Sequence, residues 1–312
     1  MDMGISILVL NDISVAHQTH LQQHYRPTFA FTPEARARAI ETQGADFEVV
    51  LTIGLLGLRA DEMDAMPRLR MVSSMGAGYE NIDVAAAKAR GLIVTHGRGA
   101  NDECVADHAI GMMIAVMRNF SELDRLCRDG VWRTQIALPP QVSGKRLGIL
   151  GLGAVGERIA QRARAFRMDI GYHNRHQRPA LEYTYFDNAE ALARWCDVLV
   201  CAMPGGAATK HMVNAKVLAQ LGPEGYLVNV GRGSIVDTTA LATALETRSI
   251  AGAALDVYES EPAPPHALIG QNHLLLSPHM AGWSPEAIQA QFDIFLQNLD
   301  AVFAGKDPVT PI

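Results

Sequence analysis

Short runs of β-branched residues and leucine alternate along the chain with longer segments of helical periodicity. In the first third, the apolar runs predict strands over residues 5–10, 49–53, 71–75 and 93–96. A second series of predicted strands covers residues 145–150, 169–173, 198–203, 226–230, 251–257 and 273–277. Helical patterns such as Pro33–Gln43 lie between the strands. This alternation is typical of parallel sheets with helices on both faces, so it predicts two doubly wound α/β domains.

The break between the two series falls at residues 97–101, a glycine-containing stretch just before a predicted helix. That helix, over residues 102–118, is apolar on nearly all sides and is expected to be buried between domains or subunits. Residues 121–143 are predicted to form an arm or a loop. The pattern therefore predicts a boundary between two domains near residues 97–101.

The last helix has signals at both of its ends. Ser284 can cap it, Pro285 suits the first turn and Gly305 can end it. One apolar stripe follows its length, formed by Ile288, Phe292, Leu296, Leu299 and Phe303. A terminal helix of this kind could return to pack on the first domain.

Composition narrows the class of protein. The chain has 312 residues, of which 48% are apolar and 19% charged, with a net charge of −6. These values exclude a disordered chain and give no overall attraction to nucleic acid or anionic lipid. Four scattered cysteines do not form a disulfide framework, and the longest apolar stretch, residues 109–117, is too short to span a membrane. We expect a cytoplasmic protein with a small-molecule partner.

A glycine-rich turn carries the strongest local signal. The motif Gly151-Leu152-Gly153-Ala154-Val155-Gly156 follows the predicted strand over 145–150 and opens an amphipathic helix. In this context the first glycine allows a tight turn, the second lets the backbone approach a pyrophosphate, and the third allows close packing of helix and strand. The helix N-terminus then faces the phosphates. The motif predicts a dinucleotide site.

The end of the next strand bears on the choice of cofactor. An NAD site is expected to have a carboxylate about 20 residues after the glycines, where it binds the ribose hydroxyls. The stretch 172–179 has no acid, and it offers Asn174, Arg175 and Arg178 instead. Two guanidinium groups can bind a 2′-phosphate, so NADP(H) is favoured and NAD(H) is the alternative. The alternative is that these arginines lie in a solvated loop and bind no phosphate.

Several further segments together resemble one protein family. They are residues 76–83, 195–199, 229–233, 256–262 and 277–282. Their combination and order resemble the D-isomer-specific 2-hydroxyacid dehydrogenases over nearly the whole chain, and most of all the glyoxylate/hydroxypyruvate reductase and 2-ketogluconate reductase branch. The resemblance implies a Rossmann-type cofactor domain over residues 98–284 and a flavodoxin-like substrate domain that combines residues 1–97 with 285–312. It also implies an active site in the cleft between the two domains, and a homodimer.

The resemblance also implies roles for single residues. Arg232 would bind the substrate carboxylate and keto oxygen, His279 would be the catalytic histidine, and Glu261 its acidic partner. Asp256 would hold the nicotinamide carboxamide, and the turn Met75-Gly76-Ala77-Gly78 would bind the substrate carboxylate. Further cofactor contacts are expected at Val105, Met203, Pro204, Thr209, Val230, Gly231 and Ala281. The loop Met203-Pro204-Gly205-Gly206-Ala207 departs from the commoner proline-leucine-threonine run.

The chemistry requires these residue types whatever the family. Reduction of a 2-keto acid adds hydride to carbon and a proton to oxygen. A guanidinium can orient the carboxylate and stabilise charge developing on the carbonyl oxygen. A protonated imidazole can supply the proton, and a neighbouring carboxylate keeps the ring charged and oriented.

We therefore expect NADPH-dependent reduction of glyoxylate, hydroxypyruvate or 2-ketogluconate to the D-2-hydroxy acid. One alternative is an aryl or branched 2-keto acid, for which Trp283, Leu55 and Leu56 could line an apolar pocket. The other alternative is a non-enzymatic NAD(H)-sensing protein similar to corepressors of this fold. His17, His20 and His24 share one face of a predicted helix, but a solvated polar face is favoured there over a metal site.

Overall fold

The computed structural model describes residues 4–312, which form twelve β-strands and eleven α-helices. The first elements are β1 (Ser6–Val9), α1 (Val15–His24), β2 (Arg26–Phe29), α2 (Pro33–Gln43), β3 (Val49–Thr52), α3 (Ala60–Asp64), β4 (Met71–Ser74), α4 (Val84–Ala89) and β5 (Ile93–His96). Then come α5 (Asp102–Met117), α6 (Phe120–Arg128), β6 (Arg146–Leu150), α7 (Ala154–Ala165), β7 (Asp169–His173), β8 (Thr184–Tyr185), α8 (Ala189–Trp195) and β9 (Val198–Cys201). The last are α9 (Ala215–Leu221), β10 (Tyr226–Asn229), α10 (Thr238–Glu246), β11 (Gly252–Leu255), β12 (Leu274–Leu276) and α11 (Pro285–Phe303).

The described chain divides into two compact units, each built on one parallel sheet. The first unit comprises the described residues up to Asn101 together with Ser284–Ile312, and the second is Asp102–Trp283. Within residues 4–312 the first sheet has the strand order β2-β1-β3-β4-β5, and the second has β12-β11-β10-β9-β6-β7-β8. The first order is flavodoxin-like, and the second is the dinucleotide-binding order with one added edge strand. The predicted fold class is confirmed.

In the first unit, successive strand residues point into two separate cores. On one face, Leu8, Val50 and Val72 pack in the same cluster as residues of α2 and α4. On the other face, strands β1, β3 and β4 share a cluster with Phe292 and Leu299 of α11. Helix α11 begins as its sequence predicts, because the Ser284 hydroxyl accepts a 3.1 Å hydrogen bond from the amide of Ala287.

The second unit also has a core on each face of its sheet. On one face, β6 packs with α5 and α7, and on the other the strands meet α8, α9 and α10. Helix α5 buries eight residues in this core. Packing inside its own unit thus buries much of the apolar circumference of this helix.

The segment predicted to form an arm or a loop contains α6 and one short 3-10 turn, Arg133–Gln135, and has no other described helix or strand before β6. Helix α6 has no buried residue. Ion pairs of Arg125 with Glu122 and Asp129, and of Arg128 with Asp124, run along it at spacings of three and four residues. Among the described residues, no helix has both the length and the apolar character needed to cross a membrane.

Candidate active site

The turn after β6 shows a separate physical reason for each of its three motif glycines. Gly151 has a φ of +95°, and a Cβ there would lie 2.7 Å from the backbone nitrogen of Met203. A Cβ on Gly156 would lie 2.3 Å from the Gly151 oxygen. Gly153 caps α7, and a Cβ there would have nothing within 4 Å. The turn therefore combines close internal packing with open space at the helix N-terminus, which fits a bound pyrophosphate.

Asn174 fastens this turn to the end of β7. Its Oδ1 accepts a 2.7 Å hydrogen bond from the Leu152 amide, and its Nδ2 donates to the Leu152 carbonyl at 3.3 Å. The side chain is thus engaged with protein backbone through both of its polar atoms. Leu152 itself is buried, while Ala154 and Val155 form the start of α7.

The two arginines predicted to meet a 2′-phosphate differ in their surroundings. Arg178 donates to the Leu152 carbonyl at 2.9 Å and forms an ion pair with Glu157 in the first turn of α7. Arg175 is exposed, and it makes no hydrogen bond or ion pair with any residue among 4–312. Of these two arginines, only Arg175 therefore has a guanidinium that is not already paired with a carboxylate.

The loop after β9 contains Gly205 and Gly206, two of the residues by which this chain departs from the commoner proline-leucine-threonine run. A Cβ on Gly205 would lie 3.0 Å from Cγ of Arg232, and Gly206 has a φ of +134°. The Thr209 hydroxyl donates to the Pro204 carbonyl at 2.9 Å and closes the loop. Gly205 thus leaves space for the Arg232 side chain, and Gly206 adopts a backbone conformation that favours glycine. The remaining predicted cofactor positions on apolar side chains are buried, at Val105, Met203, Val230 and Ala281.

Glu261 and His279 form a direct pair. Nδ1 of His279 lies 2.7 Å from Oε2 of Glu261, and the other carboxylate oxygen accepts a 2.6 Å hydrogen bond from the Tyr258 amide. A carboxylate only accepts, so Nδ1 carries a proton and Nε2 is the ring nitrogen available for proton transfer. The hydrogen bond to Glu261 raises the pKa of His279 above its ordinary value, although burial and the charge of Arg232 oppose the shift.

Arg232 lies at the carboxyl end of β10, between two glycines. Its Nη1 donates to the Gly231 carbonyl at 2.7 Å. A Cβ on Gly231 would lie 2.7 Å from the Met203 carbonyl oxygen, and one on Gly233 would lie 2.2 Å from the Tyr258 carbonyl carbon. The close approach of backbone on both sides therefore accounts for the glycines that flank this arginine.

Asp256 organises the loop that carries His279. Its two carboxylate oxygens accept from the amides of Met280 and Ala281 at 2.8 and 2.9 Å, and its carbonyl accepts from the His279 amide. Nε2 of His108 lies 3.4 Å from Oδ1. Burial raises the pKa of Asp256, but the contact with His108 and the other hydrogen bonds outweigh burial, so the net shift is downward. From the sequence we expected Asp256 to contact the nicotinamide carboxamide. The sequence did not predict that Asp256 would bind the backbone of the loop that carries His279.

The first unit contains the turn Met75-Gly76-Ala77-Gly78, which follows β4. Each of its last three carbonyl groups accepts a hydrogen bond from the protein. The donors are the Gly97 amide to Gly76 at 2.9 Å, Nδ1 of His96 to Ala77 at 2.9 Å, and the Ser74 hydroxyl to Gly78 at 2.5 Å. The amides of Gly76, Ala77 and Gly78 donate to no described residue. This arrangement leaves a set of amide donors suited to a carboxylate.

The loop of Leu55 and Leu56 packs directly against the same turn. A Cβ on Gly54 would lie 2.7 Å from the Gly78 carbonyl oxygen. Asn81 links the two segments, because its amide donates to the Gly54 carbonyl and its side chain donates to the Leu55 carbonyl at 2.8 Å. The side chains of Leu55 and Leu56 are exposed. In the second unit Trp283 is 65% exposed.

The solvated polar face predicted for the histidines of α1 is wrong for His17. His17 is buried and stacks on Phe292 with ring centroids 4.0 Å apart, while the rings of His20 and His24 lie 4.6 Å apart. Among residues 4–312, no cluster of three or more histidine, cysteine or acidic side chains is placed to hold a metal ion.

Comparison with known proteins places the chain in a family. Residues 110–281 match the family described as D-isomer specific 2-hydroxyacid dehydrogenase, NAD binding domain. Two relatives are 35% identical over 310 residues, covering 99% of both chains: a hydroxyphenylpyruvate reductase of Plectranthus scutellarioides and a glyoxylate/hydroxypyruvate reductase of Arabidopsis thaliana.

A solved structure agrees with these relatives. It is an NADPH-dependent glyoxylate/hydroxypyruvate reductase of Sinorhizobium meliloti in complex with NADP and malonate. It is 37% identical, has a TM-score of 0.90, and the match covers 99% of this chain and 96% of that one. The predicted resemblance is thus confirmed: the chain belongs to the D-isomer-specific 2-hydroxyacid dehydrogenase family, in its glyoxylate/hydroxypyruvate reductase-like branch, and is an NAD(P)-dependent oxidoreductase.

Proposed function

We propose that the enzyme reduces small 2-keto acids, foremost glyoxylate and hydroxypyruvate and next 2-ketogluconate, to D-2-hydroxy acids with NADPH. One observation carries the proposal: the 2.7 Å pair of Glu261 with His279, whose pKa is raised. A histidine kept protonated by a carboxylate is a proton donor for a carbonyl that becomes an alcohol. The similar plant and bacterial proteins are named glyoxylate/hydroxypyruvate reductases, which supports this substrate class.

In this proposal the steps of the reaction are divided among the residues to which the family resemblance assigns roles. NADPH supplies the hydride when it is bound. Nε2 of His279 gives a proton to the carbonyl oxygen, while the Arg232 guanidinium stabilises the negative charge developing on that oxygen. The amides of Gly76, Ala77 and Gly78 bind the substrate carboxylate. The unit Asp102–Trp283 would then serve as the cofactor domain and the other unit as the substrate domain.

The preference for NADPH rests on the end of β7. No acidic residue lies in the stretch 172–179, and Arg175 is exposed without a partner in the described chain. An exposed guanidinium can bind a 2′-phosphate, whereas a carboxylate there would repel it. The similar reductase whose structure contains NADP supports this choice. A homodimer in the cytoplasm completes the proposal, and it is supported by the family resemblance alone.

The test is a turnover panel. Purified enzyme is assayed with NADPH and with NADH against glyoxylate, hydroxypyruvate and 2-ketogluconate, following nicotinamide absorbance. We expect kcat/KM to be higher with NADPH by roughly 10-fold to 1000-fold, discounted for solvent screening of the arginine. Chiral analysis of the product is expected to give the D isomer where the product is chiral. Absence of turnover with every keto acid would favour the NAD(H)-sensing alternative instead.

A second candidate substrate is an aryl or branched 2-keto acid. The observation that favours it is the pair of exposed leucines, Leu55 at 63% and Leu56 at 41%, on the loop packed against the turn at Gly78. The similar hydroxyphenylpyruvate reductase supports the same idea. Adding 4-hydroxyphenylpyruvate to the panel separates the two candidates, because a kcat/KM above that for glyoxylate would make the aryl acid the better substrate.

A further inference from the structure

We propose that His96 is a positioning residue for the turn Met75-Gly76-Ala77-Gly78: it fixes the peptide between Ala77 and Gly78 so that the Gly78 amide faces the substrate carboxylate. The inference rests on the proposed function in one respect, namely that this turn binds a carboxylate. His96 would act through the Ala77 carbonyl, and in this proposal it does not itself touch the substrate.

The contact that carries the inference is a single, directional hydrogen bond. Nδ1 of His96 lies 2.9 Å from the Ala77 carbonyl oxygen. A carbonyl oxygen has no proton to give, so Nδ1 must be the donor, and the protonated nitrogen of the neutral ring is therefore Nδ1. On either side of this peptide, the Gly76 and Gly78 carbonyls are bound by the Gly97 amide and the Ser74 hydroxyl.

Because of the geometry of a peptide, the hydrogen bond to the Ala77 carbonyl also sets the direction of the Gly78 amide. In a trans peptide the C=O and the N–H point in opposite directions from the same plane. When His96 binds the Ala77 carbonyl from one side, the Gly78 amide must project from the other side. Because Gly78 has no Cβ to restrict its backbone, this peptide plane could rotate more freely without the bond. His96 therefore supplies a restraint that the local sequence lacks.

His96 is itself held firmly, which a positioning role requires. It is the last residue of β5, and it pairs with Ser74 of the neighbouring strand β4. Its amide donates to the Thr310 carbonyl at 3.2 Å, and its carbonyl accepts from the Thr310 hydroxyl at 2.5 Å. The ring also meets Tyr79 edge-on, with centroids 5.4 Å apart. Backbone and ring are thus restrained independently.

The experiment compares variants that keep or remove the donor. His96→Phe retains a ring against Tyr79 without a donor, and His96→Asn keeps a donor near the position of Nδ1. Thr310→Val is the matched control, because it loses the hydroxyl bond to the backbone of the same residue and leaves the ring in place. Each variant is assayed for the KM of glyoxylate, the KM of NADPH, kcat and melting temperature. Oxalate affinity is measured by calorimetry with NADP⁺ present.

We expect His96→Phe to raise the KM of glyoxylate and the dissociation constant of oxalate by about tenfold, the equivalent of one hydrogen bond. The KM of NADPH and the pH profile of kcat should stay at wild-type values. His96→Asn should restore most of the loss, and Thr310→Val should lower only the melting temperature. Should His96→Phe fail to fold, His96→Ala tests the same loss.

Two results would overturn the inference: wild-type affinities in His96→Phe, or equal losses in His96→Phe and Thr310→Val, which would indicate a general weakening of β5. The proposed function can fail separately. If the wild-type enzyme reduces no keto acid, yet binds oxalate more tightly than His96→Phe does, then the reaction assignment is wrong and the positioning role stands.

Discussion

Two glycine-rich turns in this chain follow buried strands of parallel sheets and present backbone amides, but they are built differently. The turn after β6 runs straight into α7, so its amides belong to a helix N-terminus with a positive partial charge. The turn after β4 runs into no helix at once, because α4 begins only at Val84. Its carbonyls are instead bound from outside by Gly97, His96 and Ser74.

The difference shows two ways to prepare a backbone for an anion. A helix orders its own first amides through local geometry, so the residues needed are close in sequence. The second turn depends on donors from β4, β5 and the residue after β5, which come together only in the folded unit. Side chains then supply what neither turn has, namely a group that can gain or lose a proton near neutral pH.

The largest expected effect concerns that titrating group. His279→Ala should lower turnover of glyoxylate by about 10²–10⁴-fold, because the general acid is lost, and should leave the KM of NADPH nearly unchanged. Steady-state kinetics with both substrates varied checks this prediction. A variant that retains wild-type turnover would remove His279 from the proposed mechanism.

The pH profile sharpens the same prediction. The Glu261 hydrogen bond raises the pKa of His279, so Glu261→Gln should lower that pKa. Reduction needs the protonated ring, so the fall in kcat/KM with rising pH should begin at lower pH in Glu261→Gln than in the wild-type enzyme. The profile of His96→Asn should not move, because backbone amides do not titrate in this range. An unchanged profile in Glu261→Gln would contradict the assignment of Glu261 as the partner.

The next effect tests the helix-based turn. Gly153→Asp places a carboxylate in the open space at the N-terminus of α7, where the pyrophosphate is proposed to bind. We expect the KM of NADPH and of NADH to rise by roughly 100-fold, since two charge-assisted hydrogen bonds are replaced by repulsion. Gly270→Asp is the matched control, because a Cβ there also meets nothing within 4 Å. Equal cofactor affinities in the two variants would contradict the proposed site.

The smallest effect separates the two arginines near this turn. Arg175→Ala should raise the KM of NADPH by about tenfold and leave that of NADH unchanged, because only the 2′-phosphate is lost as a partner. Arg178→Ala should weaken both cofactors, since Arg178 binds the Leu152 carbonyl and Glu157. Arg164→Ala, at another exposed arginine, should change neither. A wild-type preference for NADH would show that the missing acid misled the prediction.

Elements with local signals were predictable from the sequence. Helix α2 occupies Pro33–Gln43 as predicted, because the Thr32 cap and the proline in its first turn define its start. The strands missed were β2, which contains Arg26 and Pro27, and the two-residue β8. Both are edge strands of their sheets, so they need neither apolar faces nor a full set of backbone donors.

The features of the candidate site also divide into those that the sequence could predict and those that it could not. The glycine motif could be picked out because it directly follows a strand and opens a helix. The roles of Arg232, Glu261 and His279 were predicted from the resemblance of their segments to one family. The bonds of His96 to Ala77, of Asp256 to Ala281 and of Arg178 to Glu157 join residues 19 to 25 positions apart. Such contacts depend on how neighbouring segments pack, so the local pattern of residues does not predict them.

The final residues of the chain protect an exposed edge. Strand β5 lies at one side of its sheet, and Pro311 bridges to Thr95 there while the Ile312 amide donates to the Val94 carbonyl at 2.9 Å. An uncovered edge of this kind is a template on which a strand of another molecule can add. Residues 310–312 thus occupy backbone groups of β5 that would otherwise be open to such pairing.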